Sequence, residues 1–83
     1  MLSKTTINFA TKRGMHVEIN EDDILEIYIN AEDDEYDLSY DVKENGFFFR
    51  GSLLPQQVKE ELPYWITDER HLREVLVFLV TTK

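Results

Sequence analysis

Carboxylic acids are the side chains of this 83-residue sequence whose number and spacing could do chemistry. Six of them lie in the ten-residue stretch EDDEYDLSYD at residues 32–41. Residues 18–44 contain twelve acids and one base, a net charge of −11, whereas residues 1–17 contain three bases and no acid. Acids crowded in this way can bind a metal cation, act as a general acid and base, or attract a basic protein.

A metal site has one candidate pattern. Counted from Asp33, acidic and hydroxyl side chains recur at the positions that an EF-hand loop uses, but Leu38 occupies the sixth position, where the loop needs glycine. Strand alternation explains the same residues. His16 and Glu18 would share a strand face but supply only two ligands, and His71 fits a helix surface. We therefore expect no metal site and no cofactor.

Catalysis finds little support in the sequence. The serines have no histidine and acid companions at a recognisable spacing, and the three glycines cradle no phosphate. Asp37 and Asp41 could act as acid and base, but general acid catalysis needs a carboxyl whose pKa is raised by an apolar pocket. The chain has no cysteine, which excludes disulfides and thiol nucleophiles. We expect a protein that is not an enzyme.

The first fifty residues alternate between apolar and polar side chains with a period of two, which predicts strands. The predicted strands are at residues 7–9, 15–19, 25–29, 36–42 and 47–49. Glu44-Asn45-Gly46 predicts a hairpin turn, because Asn-Gly readily takes the positive φ angles that such a turn requires. The short connections predict an antiparallel meander of about five strands. In the fourth strand, Tyr36, Leu38 and Tyr40 should face the core, and Asp37, Ser39 and Asp41 should face water.

Beyond Gly51 the pattern predicts one or two helices. Ser52 is a candidate N-cap for a short helix that ends before Pro63, and Thr67 or Asp68 is a candidate cap for a second one. The second helix would bury one apolar stripe, formed by Leu72, Val75, Leu76 and Leu79. The apolar run 75–80 could instead be a sixth strand. The prediction is a single α+β domain of two layers, with a β-meander at 1–50 packed on a helical segment at 52–83.

We expect the acidic side of the sheet, extended by the acidic loop that follows the third strand, to bind a partner. Tyr28 and Phe48 should point to the same side and serve as aromatic anchors. The alternative is a solvated face that only keeps the protein soluble. The predicted partner-binding residues are Glu18, Glu26, Tyr28, Glu32, Asp33, Asp34, Glu35, Asp37, Asp41 and Phe48.

In size and charge the chain resembles the small acidic inhibitors that phages use against restriction enzymes, CRISPR nucleases and repair glycosylases. The resemblance implies a protein that mimics the charge of nucleic acid and occupies the basic cleft of a nucleic-acid enzyme. The same charge would suit an immunity protein or antitoxin that binds a basic toxin. A third hypothesis is a structural or assembly subunit that associates through its apolar C-terminal helix, with Val77 and Phe78 at a homodimer contact.

The charge balance also excludes partners. Direct binding to nucleic acid or to anionic membranes requires lysine and arginine, which are scarce here. The N-terminus lacks the apolar segment of a signal peptide, and the longest apolar run, residues 75–80, is too short to span a bilayer. We therefore expect a cytoplasmic protein.

Overall fold

Five strands that follow one another along the chain also lie side by side in one antiparallel sheet. The computed structural model describes residues 2–82. The sheet order is β1-β2-β3-β4-β5, so each strand pairs with the next in sequence. This confirms the predicted α+β class with a five-stranded antiparallel meander. The elements are α1 (Lys4–Thr11), β1 (His16–Ile19), β2 (Ile24–Tyr28), β3 (Leu38–Lys43), β4 (Gly46–Ser52), α2 (Gln56–Lys59), β5 (Trp65–Ile66) and α3 (Glu69–Val80).

The hydrophobic core lies between one face of the sheet and the two longer helices. Alternate residues of the strands are buried on this face, and α3 contributes the stripe that its 3.6-residue period predicts. Ala10 of α1 completes the layer. Truncating a fully buried leucine such as Leu76 to alanine typically costs about 2–5 kcal/mol. The sheet contributes Val17, Leu25, Ile27, Leu38, Tyr40, Phe47 and Ile66, and α3 contributes Leu72, Val75, Leu76 and Leu79.

The N-terminal segment is helical, so the strand predicted at residues 7–9 is wrong. Ser3 caps α1, because its Oγ accepts a hydrogen bond from the Thr6 N–H at 3.4 Å. Thr6 and Ala10, four residues apart, are the buried residues of the helix and share one face. Three alternating residues are too few to separate a strand from one helical turn.

The sheet still has five strands although residues 7–9 are helical, because Trp65–Ile66 forms a strand that was not predicted. It pairs with β4 through Phe47 opposite Ile66 and Phe48 opposite Trp65. The predicted segment 1–50 therefore includes a helix, and the predicted helical segment 52–83 includes a strand. The helix predicted over the apolar run 75–80 is confirmed, and Asp68 caps α3 by accepting a hydrogen bond from the His71 N–H at 2.9 Å.

The short helix after β4 differs from its prediction at both ends. Ser52 belongs to β4, and its Oγ accepts a hydrogen bond from the Leu54 N–H at 2.9 Å instead of capping a helix. Pro55 is the residue that precedes α2, which ends at Lys59, before the predicted end near residue 62.

Gly46 allows the edge strand β5 to approach the sheet. Lys43 pairs with Gly46, so the turn residues are Glu44 and Asn45, within the turn predicted at residues 44–46, and Gly46 begins β4. Gly46 has φ +132°, and a Cβ placed there would lie 2.3 Å from the carbonyl oxygen of Ile66. Any side chain at this position would therefore force the β4–β5 pair apart.

The two longer helices are joined by the carboxylate of Glu69. Its Oε1 accepts hydrogen bonds from the Ser3 N–H at 3.1 Å, the Ser3 hydroxyl at 2.7 Å and the Thr6 hydroxyl at 2.6 Å. Arg73 donates to the Thr6 Oγ1 at 2.9 Å. Burial of Glu69 acts to raise its pKa, but these hydrogen bonds and the charge of Arg73 together hold the pKa below the ordinary value.

Replacing Glu69 should remove acid-sensitive stability. Because the pKa of Glu69 is lower in the folded state, its contribution is present above pH 4.5, the ordinary value, and is lost as the pH falls through the folded-state pKa. We expect Glu69→Gln to lower the free energy of unfolding at pH 7 by about 1–2 kcal/mol, and this deficit to shrink in acid. Urea unfolding of both proteins at several pH values from neutral to acid measures this difference in the free energy of unfolding. Glu74→Gln, on the exposed side of the same helix, is the control and should change little; a Glu69 deficit that is constant with pH would contradict this role.

Gly46→Ala should destabilise the protein by about 2 kcal/mol or more, because the added carbon meets backbone and the φ angle is unfavourable. Gly51→Ala is the matched control: a Cβ there meets nothing within 4 Å. It should leave stability unchanged or raise it slightly. Thermal unfolding followed by Trp65 fluorescence distinguishes the two. Equal stability of the two variants would show that β5 can move away without loss.

Candidate partner-binding face

The side of the sheet that faces away from the helical layer is called the outer face. Strand register places Glu18 opposite Glu26, Glu26 opposite Ser39, Asp41 opposite Phe48, and Phe48 opposite Trp65. Because side chains alternate along each strand, all of these point to the same side. Five predicted residues therefore share the outer face, as the alternation indicated: Glu18, Glu26, Tyr28, Asp41 and Phe48.

Two glutamates face each other across β1 and β2. Like charges directly opposite each other destabilise a sheet, and neighbouring polar groups bond to both side chains. Asn20 Nδ2 donates to Glu26 Oε2 at 3.0 Å, the Tyr28 hydroxyl donates to Glu26 Oε1 at 3.4 Å, and His16 Nε2 lies 2.8 Å from Glu18 Oε1. Burial raises the pKa of Tyr28, and the negative charges of Glu26 and Glu18 raise it further.

A β-bulge in β4 brings a base to the acidic face. The register shifts between Ser39 and Tyr40, and Arg50 is the extra residue, without a partner on β3. Arg50 Nε lies 3.6 Å from Asp41 Oδ1, and both side chains are about half exposed. Asp41 is therefore partly neutralised. Within residues 2–82, this pair and His16–Glu18 are the two ion pairs of the acidic segment.

Asp37 is held by the backbone and differs from the other acids. Its Oδ2 accepts a hydrogen bond from the Ile29 N–H at 2.8 Å, and its carbonyl accepts one from the Leu53 N–H at 2.8 Å. Asp37 lies just before β3, which begins at Leu38 rather than at residue 36. Its carboxylate ties the end of β2 to the start of β3.

One predicted side-chain orientation and one predicted exposure near this junction are wrong. Tyr36 was expected in the core, but it lies outside β3, and its ring packs edge-on against Tyr28 with centroids 6.2 Å apart. Ser39 lies on the outer side of the sheet, as expected, but it is only 2% exposed. It is a small side chain on β3, the central strand of the sheet.

The four remaining predicted acids lie in the loop between β2 and β3 and are exposed. Asn30 begins this loop, and its Oδ1 accepts a hydrogen bond from the Glu32 N–H at 3.1 Å. Asp34 and Glu35 border the same open groove as Tyr28 and Ser39, so the loop adjoins the outer face. The loop acids are Glu32, Asp33, Asp34 and Glu35.

Aromatic side chains form two clusters at opposite ends of the outer face. At one end, Tyr28 packs between His16, with ring centroids 5.3 Å apart, and Tyr36. At the other end, Phe48 stacks on Trp65 at 6.1 Å and meets Tyr64 edge-on at 6.2 Å. Trp65 and Tyr64 are 46% and 71% exposed.

Sequence reasoning missed three residues of this surface. Arg50 reaches it through a bulge, and the adjacent Gly51 is the sequence signal for it, because glycine inside a strand often marks a bulge. Tyr64 and Trp65 reach it because β5 pairs with β4, and a two-residue strand is too short for periodicity to detect. The one indication in the sequence is their position just after Pro63, a residue that cannot continue a helix.

Metal binding and membrane crossing find no structural support in the described part of the chain. No group of three or more His, Cys, Asp or Glu side chains within residues 2–82 is placed to hold a metal ion. The segment that matched a calcium loop contains the strand β3, and His71 Nδ1 accepts a hydrogen bond from the Thr67 N–H at 3.1 Å. Over the same residues, no helix combines the length and the apolar character needed to cross a bilayer.

The two residues of the predicted dimer contact on α3, Val77 and Phe78, differ in their exposure to solvent. Val77 is 45% exposed, whereas Phe78 is half-buried and packs against the core. The apolar stripe of α3, formed by Leu72, Val75, Leu76 and Leu79, is buried inside the molecule.

Comparisons with known proteins returned no relative. A scan against protein-family models, a search of curated proteins and a search of solved structures each found no match. The outer face itself is therefore the feature of this protein from which a function can be inferred.

Stability measurements should distinguish Asp37, whose carboxylate binds the backbone, from the exposed acids of the loop 32–35. We expect Asp37→Ala to lower the free energy of unfolding by about 1–2 kcal/mol, because the Ile29 N–H loses its acceptor. Asp34→Ala, an exposed loop acid, is the control and should have no effect or a slight stabilising one. Chemical denaturation measures both. If the two variants were equally stable, Asp37 would have no structural role.

Proposed function

We propose that this protein is a small acidic binding protein that uses the outer face of its sheet to occupy the basic cleft of a nucleic-acid-binding enzyme in place of nucleic acid. The observation that carries the proposal is the placement of Glu18 and Glu26 side by side on a hydrogen-bonded sheet, next to an exposed acidic loop. A binding surface of fixed carboxylates can present regularly spaced negative charge, as a nucleic-acid backbone does.

The electrostatic support comes from the small number of bases near these acids. Lys43 is the single base in residues 18–44, and it is exposed at the end of β3. Arg50 compensates Asp41, while the acids of the loop 32–35 have no ion-pair partner within residues 2–82. An uncompensated field of this sign accelerates the approach of a basic partner and weakens as salt is added.

The aromatic clusters support a protein partner over simple solvation. Tyrosine and tryptophan are enriched at the energetic centres of interfaces, because they bury much apolar area and keep a polar group for hydrogen bonding. Phe48, Tyr64 and Trp65 lie at one end of the outer face and Tyr28 at the other, so a partner that covers the acids also meets both clusters.

The structure changes which acids should be tested. Asp37 binds backbone and Asp41 is paired, so replacing them mixes stability with binding. Glu18, Glu26 and Glu35 are better targets, because within residues 2–82 their carboxylates bind neither backbone nor a lysine or arginine, and glutamine preserves their shape.

The test is capture of partners from cell lysate on immobilised protein at about 50 mM and about 200 mM salt, with duplex DNA as a competitor. We expect captured proteins to be nucleic-acid-binding enzymes, to be released by the higher salt and by DNA, and to bind at least about tenfold more weakly to Glu18→Gln/Glu26→Gln/Glu35→Gln. The matched control, Glu60→Gln/Glu61→Gln/Glu74→Gln, removes the same charge elsewhere and should bind normally.

Two outcomes would contradict this function. A basic toxin that DNA fails to displace would favour an immunity protein or antitoxin. A partner that is retained at the higher salt and lost on Val77→Asp would favour an assembly subunit that associates through α3.

A further inference from the structure

The outer face contains an open groove of about 490 Å³ next to the bulge in β4. Ser39 and Gly51, which pair across β3 and β4, form its floor. Tyr28 and Tyr36 also line the groove, as do the exposed loop acids Asp34 and Glu35. The volume falls within the range of about 300–1,000 Å³ that is typical of ligand pockets.

The groove exists because two neighbouring central strands carry small residues at paired positions. Gly51 contributes no side chain, and a Cβ built there meets nothing within 4 Å. The Gly51 position is therefore open towards the groove, and it can accept a side chain without a backbone clash.

The floor of the groove contains a polar atom without a partner. Ser39 is only 2% exposed, and its hydroxyl makes no hydrogen bond within residues 2–82. In the same part of the chain, no side-chain nitrogen or oxygen is both sealed from solvent and unpaired. The Ser39 Oγ therefore opens onto the groove that it lines, where it can accept or donate a hydrogen bond to an incoming group.

The charge around the groove selects a cation. Three carboxylates line it, those of Asp34, Glu35 and Asp37. Arg50 also lines it, but its Nε lies 3.6 Å from the Asp41 carboxylate, which compensates its charge. An anionic ligand would be repelled by the acids.

The shape and chemistry fit a guanidinium group better than an ammonium group. The Tyr28 and Tyr36 rings, at 83° to each other, offer a face on which a planar cation can stack. The carboxylates and the Ser39 hydroxyl offer acceptors for several of the five N–H donors of arginine. Lysine presents a compact charge that cannot stack in this way.

We propose that this groove is the socket for an arginine side chain of the basic partner. The inference rests on the proposed function and adds to it a defined contact: one arginine inserts between the tyrosine rings and the acidic loop, while the remaining outer-face acids attract the partner without distinguishing arginine from lysine.

The test uses two nine-residue peptides, nona-arginine and nona-lysine, titrated calorimetrically into the protein at about 50 mM salt. We expect nona-arginine to bind about threefold to fivefold more tightly than nona-lysine. Gly51→Val should fill the groove and bring nona-arginine down to the affinity of nona-lysine, while leaving nona-lysine within about twofold. Gln57→Val, an exposed substitution on α2, is the matched control and should preserve the difference.

A second variant guards against misfolding of the first. Tyr36→Leu keeps an apolar side chain but removes the aromatic face, and it should also abolish the preference for arginine. Equal binding of the two peptides to the unmodified protein, or a preference that survives both variants, overturns the socket but leaves the acidic face as a binding surface. Failure of both peptides to bind contradicts the proposed function itself.

Discussion

The alternation of side chains across the sheet is the physical constraint on which the other features of this protein depend. Residues two apart on a strand share a face, so a segment can send apolar side chains to the core and acids to solvent without competition. Leu25 and Ile27 are completely buried, while Glu26 between them lies on the outer face. A chain with twelve acids in 27 residues can fold because the sheet keeps the two sets apart.

The alternation of side chains makes the inner face of the sheet apolar, and this face must be buried. Helices from the two ends of the chain pack on it. α1 and α3 supply the apolar side chains that bury the inner face, and Glu69 joins them by accepting three hydrogen bonds from Ser3 and Thr6. This partly buried acid is part of the scaffold, in contrast to the exposed acids of the loop 32–35. The net charge alone therefore does not show which acids can attract a partner. Acids such as Glu69 that are bound within the fold must be separated from those exposed to solvent.

Periodic patterns that extend over five or more residues of the sequence predicted most of this scaffold. The strands β1 to β4 and the helix α3 follow from alternation and from a cap followed by an apolar stripe, and five predicted binding residues share one face for the same reason. The failures are short elements. Residues 7–9 offered too few positions to distinguish a strand from the helix α1. The strand β5 is only two residues long, and it can pair with β4 because Gly46 has no side chain to block its approach. The bulge at Arg50 and the groove floor at Ser39 and Gly51 depend on contacts between strands, which no single segment encodes.

The central claim is that basic ligands meet the outer face as one continuous surface. Backbone amide chemical shifts recorded during titration with nona-lysine test it most directly, because they report every contact site at once. The account predicts that shifts concentrate at Glu18, Glu26, Tyr28 and the loop 32–35, with α1 and α3 unchanged. Shifts that concentrate on α3, or that are spread evenly over all the acids including Glu60, Glu61 and Glu74, would contradict it.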